Sequence, residues 1–271
     1  MDKRIAFIGG GNMASAIIGG LISQGMAPAH IDVVEPFAPA RDKLHTSFGI
    51  TAEATAGAFL NRVDLVVWAV KPQIFKEAAG QIQAYTQGAL HLSVAAGIRS
   101  DSIAQWLGTG RVIRAMPNTP ALIGKGITAL FARPDVTAAD RDWVSHVLAS
   151  TGELLWLDAE PQLDAVTALS GSGPAYMFYF MEAMTEAGAA MGLPRAQAYQ
   201  LAVATFIGAG ELARQSTDGP EVLRQRVTSK GGTTYAAITS MEQDDIKAQF
   251  AKAMQAAHQR AQELGDEFGG V

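Results

Sequence analysis

The sequence predicts an α/β domain built on a doubly wound, mostly parallel sheet, followed by an all-α domain. In the first part of the chain, short apolar runs of strand length alternate with segments of helical periodicity, a pattern typical of parallel sheets covered by helices. After residue 160 the strand pattern stops, and long helical segments follow one another. We therefore predict an N-terminal domain over residues 1–160 and a helical domain over residues 161–271.

The N-terminal part carries the strand and helix patterns of a layered sheet. The run at residues 64–70 is apolar throughout, as expected for a strand covered on both faces. A third strand in chain order is placed before Ala56, and the last two strands are expected at sheet edges. The predicted strands are residues 4–8, 31–35, 64–70, 90–95, 112–116, 126–131 and 153–157. The predicted helices are the run that ends near Leu21 and residues 39–48, 74–85 and 138–150.

Five helical segments make up the second part of the chain. Two of them, residues 175–190 and 196–210, are apolar on more than one face, and a helix that is apolar all round is buried. A domain of about 110 residues has few ways to bury such helices alone. We therefore predict an obligate dimer with this domain as its core; a compact monomeric bundle is the alternative. The predicted helices are residues 174–191, 194–215, 220–227, 234–243 and 246–264, with Pro174 and Pro194 in first turns.

Composition and charge exclude several classes of function. The net charge of −5 argues against nucleic acid or an anionic membrane as the main partner. The chain has no cysteine, and its five histidines are not paired at metal-ligand spacing, so we expect neither disulfides nor a metal site. No uncharged apolar stretch is long enough to span a bilayer, and the first residues lead straight into a strand without the features of a signal peptide. We expect a soluble cytoplasmic protein.

The turn after the first strand carries the fingerprint of a dinucleotide-binding domain. Residues 9–14 fit the pattern G-x-G-x-x-A between a strand and a helix. The first glycine allows the tight turn, the second lets a pyrophosphate approach the backbone, and the alanine lets the helix pack on the strand. The pyrophosphate then accepts hydrogen bonds from N–H groups at the positive end of the helix. The alternative is a tight turn without a ligand. The candidate residues are Gly9, Gly11, Asn12, Met13 and Ala14.

Four further motifs, taken together with this turn, carry a resemblance. They are Val-Lys-Pro-Gln at residues 70–73, Arg-Ala-Met-Pro-Asn-Thr-Pro at 114–120, Leu-Ser-Gly-Ser-Gly-Pro-Ala-Tyr at 169–176 and Val-Thr-Ser-Lys-Gly-Gly-Thr-Thr at 227–234. From about residue 4 to about residue 265 the sequence resembles the pyrroline-5-carboxylate reductase family. The last motif, with Met241 and Glu242 after it, is similar to that family's signature stretch.

The resemblance implies a fold, a reaction and an assembly. The fold is a Rossmann domain followed by a helical dimerisation domain that is interlocked between two subunits. The reaction is reduction of 1-pyrroline-5-carboxylate to L-proline, the last step of proline biosynthesis, by hydride transfer from NAD(P)H to the carbon of the C=N bond. NADPH is the expected coenzyme and NADH the alternative. Because many family members assemble dimers into a decamer, a decamer is an expectation for this chain as well.

Residues that follow several strands are candidates for binding the dinucleotide. By resemblance, the loop at residues 69–72 contacts the ribose and phosphates, and the loop at 116–120 lies near the nicotinamide. Lys71 offers a cation to the coenzyme, although a solvated surface lysine is the alternative. Small residues at 95–97 allow a flat nicotinamide to lie against the backbone. The candidates are Ala69, Val70, Lys71, Pro72, Ala95, Ala96, Gly97, Met116 and Asn118.

Glu35 bears on the choice between the two coenzymes. It ends the second strand, about 20 residues beyond the glycine turn, where a carboxylate accepts hydrogen bonds from ribose hydroxyls and repels a 2′-phosphate. Arg41 and Lys43 follow shortly afterwards and are able instead to hold a 2′-phosphate. Many family members have an asparagine after the third strand, where this chain has Ala56, so the adenosine end departs from the family pattern.

A loop in the helical part is the candidate site for the substrate carboxylate. A short Gly-Gly segment before a helix start presents several N–H groups to an anion. By resemblance, Thr234 hydrogen-bonds the ring nitrogen and is the candidate catalytic residue. The alternative is that Thr233 or Thr234 only caps the following helix, as Ser172 or Gly173 would cap the helix after the loop at 170–176. The substrate candidates are Ser229, Gly231, Gly232, Thr233 and Thr234.

Other functions remain open from the sequence. A β-hydroxyacid dehydrogenase requires a catalytic lysine on a helix after the Rossmann domain, and residues 164–192 contain no lysine. A general imine reductase differs only at the carboxylate site, and a related enzyme would prefer the six-membered ring of piperideine-2-carboxylate. A redox sensor that binds NAD(H) without turnover is the non-enzymatic alternative.

Overall fold

The apolar runs of the N-terminal part form one seven-stranded sheet in the computed structural model, which describes residues 3–269. The strand order is β2-β1-β3-β4-β5-β6-β7, and every neighbouring pair is parallel except β5 with β6. The predicted mostly parallel sheet is therefore confirmed. The strands are β1 Ile5–Ile8, β2 Ile31–Val34, β3 Leu65–Trp68, β4 Leu90–Ser93, β5 Val112–Met116, β6 Gly126–Ala132 and β7 Gly152–Trp156.

Two strand predictions were wrong. The third strand placed before Ala56 is only an isolated parallel bridge, in which the N–H of Glu53 donates to the carbonyl oxygen of Val33 at 2.8 Å. The predicted strand at residues 126–131 is not an edge strand, because β6 inserts between β5 and β7. The extent of pairing at Glu53 and the position of β6 in the sheet both depend on the strands with which these residues pair. Local sequence does not specify those partners.

Helices cover both faces of the sheet, as a doubly wound fold requires. Along β1, Ile5 and Phe7 point into one hydrophobic core and Ala6 and Ile8 into another. Helices α1, α2 and α5 contribute to the first core, and α3 and α4 to the second. The sequence did not predict α4. The helices around the sheet are α1 Asn12–Ser23, α2 Ala38–Phe48, α3 Pro72–Ile82, α4 Ser100–Leu107, α5 Ala138–Leu148 and α6 Gln162–Val166, with a π-helical segment at Thr167–Gly171.

The second part of the chain is helical, as predicted. Pro174 lies in the first turn of α7, but Pro194 precedes α8 as its N-cap instead of lying in its first turn. The helices are α7 Gly173–Ala190, α8 Arg195–Gln215, α9 Pro220–Arg226, α10 Thr233–Gln243 and α11 Ile246–Phe268. No helix within residues 3–269 combines the length and the apolar character needed to cross a membrane.

The chain divides into two compact units. One contains the described residues up to Ser172 together with those from Ala257 onward, and the other is Gly173–Ala256. The last part of α11 therefore belongs to the first unit. The division near residue 160, drawn from the change in sequence pattern, stays a prediction.

The second unit leaves an unusual amount of apolar surface exposed. Helix α8 is 21 residues long, yet among the described residues only Ala198 and Ala202 on it are buried. Large apolar side chains on α7 and α8 are exposed instead: Phe178, Tyr179, Tyr199, Leu201, Ile207 and Leu212. Exposed apolar patches of this kind are typical of protein interfaces.

His91 is a buried polar residue in the middle of the sheet. Its side chain is 1% exposed on β4, and its Nδ1 accepts a hydrogen bond from the indole N–H of Trp68 at 3.1 Å. Burial lowers the pKa of His91 from 6.5 to about 4, with a smaller opposing effect from a hydrogen bond to the Thr86 backbone and a further lowering by the charge of Arg111. The neutral imidazole is thus the form that the fold accommodates.

The lowered pKa of His91 predicts a loss of stability in mild acid. Because the unfolded chain takes up this proton near pH 6.5 and the folded chain only near pH 4, the free energy of unfolding falls between these values as pH is lowered, by about 3 kcal/mol at most. We expect His91→Asn, which keeps an acceptor for Trp68, to remove this slope. Urea unfolding of both proteins at several pH values measures it, and identical slopes would contradict the prediction.

Candidate active site

Gly9 holds the glycine turn against the end of β3. Its φ is 96°, in the region that favours glycine, and its N–H donates to the carbonyl oxygen of Val34 at 2.9 Å. A Cβ on Gly9 would lie 2.6 Å from the carbonyl oxygen of Ala69. The chain therefore requires glycine here for its own packing, and the close approach brings the glycine turn beside the candidate loop at 69–72.

Gly11 has no such packing requirement. Its φ of −72° suits any residue, and no atom of the described chain lies within 4 Å of a Cβ built on it. Helix α1 begins at Asn12, and within residues 3–269 no side chain caps its first turn. An exposed glycine before N–H groups without a side-chain cap fits the close approach of a pyrophosphate. Met13 follows on the first turn, and Ala14 is fully buried against the sheet, as predicted from the fingerprint.

Glu35 folds back onto the same turn. Its carboxylate accepts hydrogen bonds from the N–H of Gly10 at 2.7 Å and from the N–H of Phe37 at 2.8 Å. Arg41 donates from Nη1 to the carbonyl oxygens of Glu35 at 2.9 Å and Pro36 at 2.7 Å. A half-buried carboxylate and a guanidinium thus lie at the end of β2. The carboxylate favours the 2′-hydroxyl of NADH, and the guanidinium favours the 2′-phosphate of NADPH.

The loop at residues 69–72 joins β3 to α3. Lys71 is the exposed N-cap residue of α3, and Pro72 is the first residue of that helix, where a missing N–H has no cost. Ala69 and Val70 are half-buried beside the glycine turn. The exposed Lys71 side chain is consistent with both interpretations made from the sequence.

The loop after β4 carries the small residues Ala95, Ala96 and Gly97. Gly97 has a φ of 79°, and a Cβ on it would lie 2.7 Å from the Cβ of Leu264 on α11. Gly97 is therefore required by packing against α11. Ala96 is half-buried, while Ala95 is almost fully buried, so the three residues do not form one exposed surface.

The loop after β5 is tied to the π-helical segment. The side-chain amide of Asn118 donates to the carbonyl oxygen of Ser170 at 3.1 Å, and its Oδ1 accepts from the N–H of Ile127 at 3.0 Å. The end of the Met116 side chain lies where a Cβ on Gly171 would be, at 2.5 Å. Both ends of the Asn118 side chain are thus engaged within the chain, which gives this residue a structural role in the loop.

The candidate coenzyme residues of the first unit lie at one edge of the sheet. They follow β1, β2, β3, β4 and β5, which are neighbours and run in the same direction. Their carboxyl ends therefore meet at one edge, which is where open α/β sheets bind ligands.

The candidate substrate loop belongs to the second unit and is exposed. The N–H of Gly232 donates to the carbonyl oxygen of Ser229 at 3.0 Å and closes a turn in which Gly231 has a φ of 77°. Gly232 is the N-cap of α10, and Thr233 and Thr234 are its first helical residues. Over the part of the chain that the structure describes, no side chain caps α10, so the alternative of a threonine cap was wrong. The exposed N–H groups fit an anion.

Sequence reasoning missed two features of the structure. The segment at 170–176 is helical except at Ser172, because the π-helical segment is followed directly by α7. It also missed the pair of Arg114 on β5 with Glu160, whose side chains lie 2.7 Å apart from Nη1 to Oε1. An arginine inside an apolar strand signals a buried partner, but the sequence does not show which carboxylate that is.

Comparison with known proteins gives a consistent result along the chain. Residues 160–264 match the family model described as pyrroline-5-carboxylate reductase dimerisation, and residues 4–97 match the one described as NADP oxidoreductase, coenzyme F420-dependent. The pyrroline-5-carboxylate reductase of Pseudomonas aeruginosa is 44% identical over 268 residues, which cover 98% of each chain.

Solved structures agree with the sequence comparison. A pyrroline-5-carboxylate reductase from Coxiella burnetii has a TM-score of 0.88 and 36% identity, covering 97% of this chain and 99% of its own. The pyrroline carboxylate reductase of Plasmodium falciparum, solved with NADP bound, has a TM-score of 0.87 and 26% identity, covering 97% of this chain and 98% of its own.

Two glycine substitutions separate packing from coenzyme binding. We expect Gly11→Ala to leave the melting temperature unchanged, because the added Cβ meets no neighbour, but to weaken NADPH binding about tenfold or more. Gly9→Ala is the matched control, and its Cβ clash and strained φ should lower the melting temperature. Thermal melts and fluorescence titration with NADPH test both. Unchanged binding in Gly11→Ala would contradict the assignment of this turn to the pyrophosphate.

Proposed function

Because the chain belongs to the pyrroline-5-carboxylate reductase family, we propose that it reduces 1-pyrroline-5-carboxylate to L-proline with NAD(P)H. The observation that carries the proposal is Gly11, an exposed glycine with no packing role before the uncapped N-terminus of α1, at the sheet edge where the strand-end loops meet. The coenzyme, when bound, supplies a hydride from C4 of its nicotinamide.

In this proposal the first unit binds and orients the coenzyme. The N–H groups at the start of α1 hold the pyrophosphate, with Gly11, Asn12, Met13 and Ala14 forming the turn. The loops at residues 69–72 and 95–97, together with Met116 and Asn118, extend the site from ribose to nicotinamide.

We assign substrate binding to the loop before α10. Ser229, Gly231, Gly232 and Thr233 form this loop, and its backbone N–H groups other than that of Gly232, which donates to Ser229, hold the carboxylate. The Thr234 hydroxyl hydrogen-bonds the ring nitrogen, and protonation of that nitrogen makes the neighbouring carbon electrophilic. In this proposal solvent is the source of the proton, since the motifs offer no histidine as a donor. Catalysis is then mainly orientation of two flat rings at near-attack distance.

NADPH is the proposed coenzyme, with NADH as the alternative. A relative with NADP bound and the family model of the N-terminal part support NADPH. Arg41 on α2, whose guanidinium reaches the end of β2, supports it as well, whereas the Glu35 carboxylate favours the 2′-hydroxyl of NADH.

Dimerisation through the second unit is part of the proposal. The exposed apolar side chains of α7 and α8 and the matched dimerisation model support it. Assembly of dimers into a decamer is an expectation from the family resemblance. A cytoplasmic location is part of the proposal as well.

The reaction is tested directly by adding racemic 1-pyrroline-5-carboxylate and following loss of NADPH and NADH absorbance, with proline assayed as product. Oxidation of either coenzyme together with proline formation supports the proposal and gives the coenzyme preference. Binding of dinucleotide without turnover would favour the sensor, and turnover only with imines that lack the carboxylate would favour a general imine reductase.

The role of Thr234 predicts a specific loss of activity. We expect Thr234→Ala to lower kcat about tenfold or more without lowering the melting temperature, because it removes a hydrogen bond to the reacting ring and no cap of α10. Thr46→Ala is the control, since that exposed hydroxyl donates within α2, to the carbonyl oxygen of Asp42. An unchanged kcat in Thr234→Ala would rule out the assigned role.

The exposed face of α8 predicts the assembly state. Ile207 is 67% exposed in the single chain, and we expect Ile207→Glu to shift the protein towards monomer, because a carboxylate buried in an apolar interface has no partner. Ile74→Glu, which adds the same charge on α3, should leave the mass unchanged. Sedimentation velocity at micromolar concentration measures the masses and tests the decamer. Retention of the wild-type mass by Ile207→Glu would place the interface elsewhere.

A further inference from the structure

Glu160 is the point at which two strand-end loops are tied together. Its Oε1 accepts hydrogen bonds from the N–H of Ser100 at 2.6 Å and from Nη1 of Arg114 at 2.7 Å. Its Oε2 accepts from the hydroxyl of Ser100 at 2.5 Å. One carboxylate therefore binds the start of α4 and the strand β5 at the same time.

The two partners lie beside the loops assigned to the nicotinamide. Ser100 comes three residues after Gly97, at the end of the loop that leaves β4. Arg114 precedes Met116 on β5, at the start of the loop that ends in Asn118. The Glu160 carboxylate thus connects the two loops, because Ser100 beside one loop and Arg114 beside the other both donate hydrogen bonds to it.

The cluster is largely buried, and both oxygens of its carboxylate accept hydrogen bonds. The side chain of Arg114 is 7% exposed and that of Glu160 is 21% exposed, and Ser100 is fully buried. The Ser100 hydroxyl donates to Glu160 and accepts from Nη1 of Arg133 at 3.2 Å. Buried ion pairs are retained at a cost in desolvation and contribute little net stability, so packing alone gives a weak reason for this one.

We propose that Glu160 is a positioning residue for hydride transfer, which fixes the distance between the loop at residues 95–97 and the loop at 116–118 through Ser100 and Arg114. The inference rests on the proposed function, because it takes these loops as the nicotinamide site. Hydride transfer depends steeply on the distance and angle between the reacting carbons, so a small change in the separation of the loops changes the rate.

Each loop is held independently on its other side. Gly97 packs against Leu264, and Asn118 is hydrogen-bonded to Ser170 and Ile127. Loss of the Glu160 contacts therefore leaves each loop folded and alters their relative position, which separates positioning from folding.

Glu160→Gln tests the proposal, because the amide keeps the size of the side chain but removes the charge that faces Arg114 and puts an N–H2 donor where Oε2 accepts from the Ser100 hydroxyl. We expect the single-turnover rate of the full-length enzyme preloaded with NADPH to fall roughly tenfold or more on addition of 1-pyrroline-5-carboxylate. The Kd for NADPH, measured by fluorescence, should stay within about threefold of wild type.

Asp140→Asn is the matched control. It breaks the ion pair of Asp140 with Arg111, 2.9 Å from Oδ1 to Nη2, beyond the opposite end of β5. This variant should lose stability without a change in the single-turnover rate. Ser100→Ala removes one of the three hydrogen bonds to Glu160 and serves if Glu160→Gln does not fold; its rate should fall about threefold.

A wild-type rate in Glu160→Gln, or in Ser100→Ala if the first variant is unfolded, would overturn the positioning role while leaving the reductase activity intact. An equal fall in rate in Asp140→Asn would overturn it too, since any broken ion pair would then have the same effect. Absence of turnover in the wild type would refute the proposed function and this inference together.

Discussion

The approach of Gly9 to the backbone of Ala69 is the constraint on which the rest of the first unit depends. At a separation of 2.6 Å from the carbonyl oxygen, a Cβ has no room, and the positive φ adds the same requirement. The contact holds the start of α1 where β2 and β3 lie on opposite sides of β1, which is the switch point of an open α/β sheet. One steric condition thus sets the packing of the first helix and the position of the proposed coenzyme turn.

Strand β5 is held in place by two ion pairs. It is the last strand of the parallel set that begins with β2. Arg111, the residue before the strand, pairs with Asp140, and Arg114, within the strand, pairs with Glu160. Charges near a sheet interior are tolerated when they are paired and hydrogen-bonded. Both arginines are matched, so the strand is fixed along its length where the sheet changes from parallel to antiparallel. Because the strand is fixed, the loop that follows it starts from a fixed position.

The sequence was informative where local chemistry decides the structure. Continuous apolar runs such as that in β3 located the strands, and the glycine turn located the first helix start. It was less informative where a distant partner decides. The strand expected before Ala56 failed because only Glu53 pairs with β2. The separate roles of Gly9 and Gly11 and the partner of Arg114 depend on atoms that are far apart in the chain. The short helix α4 was not predicted, although Ile103, Trp106 and Leu107 recur along it at helical spacing.

The end of α11 belongs to the first unit and packs against Gly97, although the whole second unit precedes it in the sequence. Domains generally fold as they leave the ribosome, N-terminal first, at about 5–20 residues per second. Here roughly 100 further residues must be translated after Ser172 before Leu264 reaches Gly97. The nascent α/β unit therefore waits for seconds with the surface around Gly97 uncovered, and a chain released before α11 is complete never covers it.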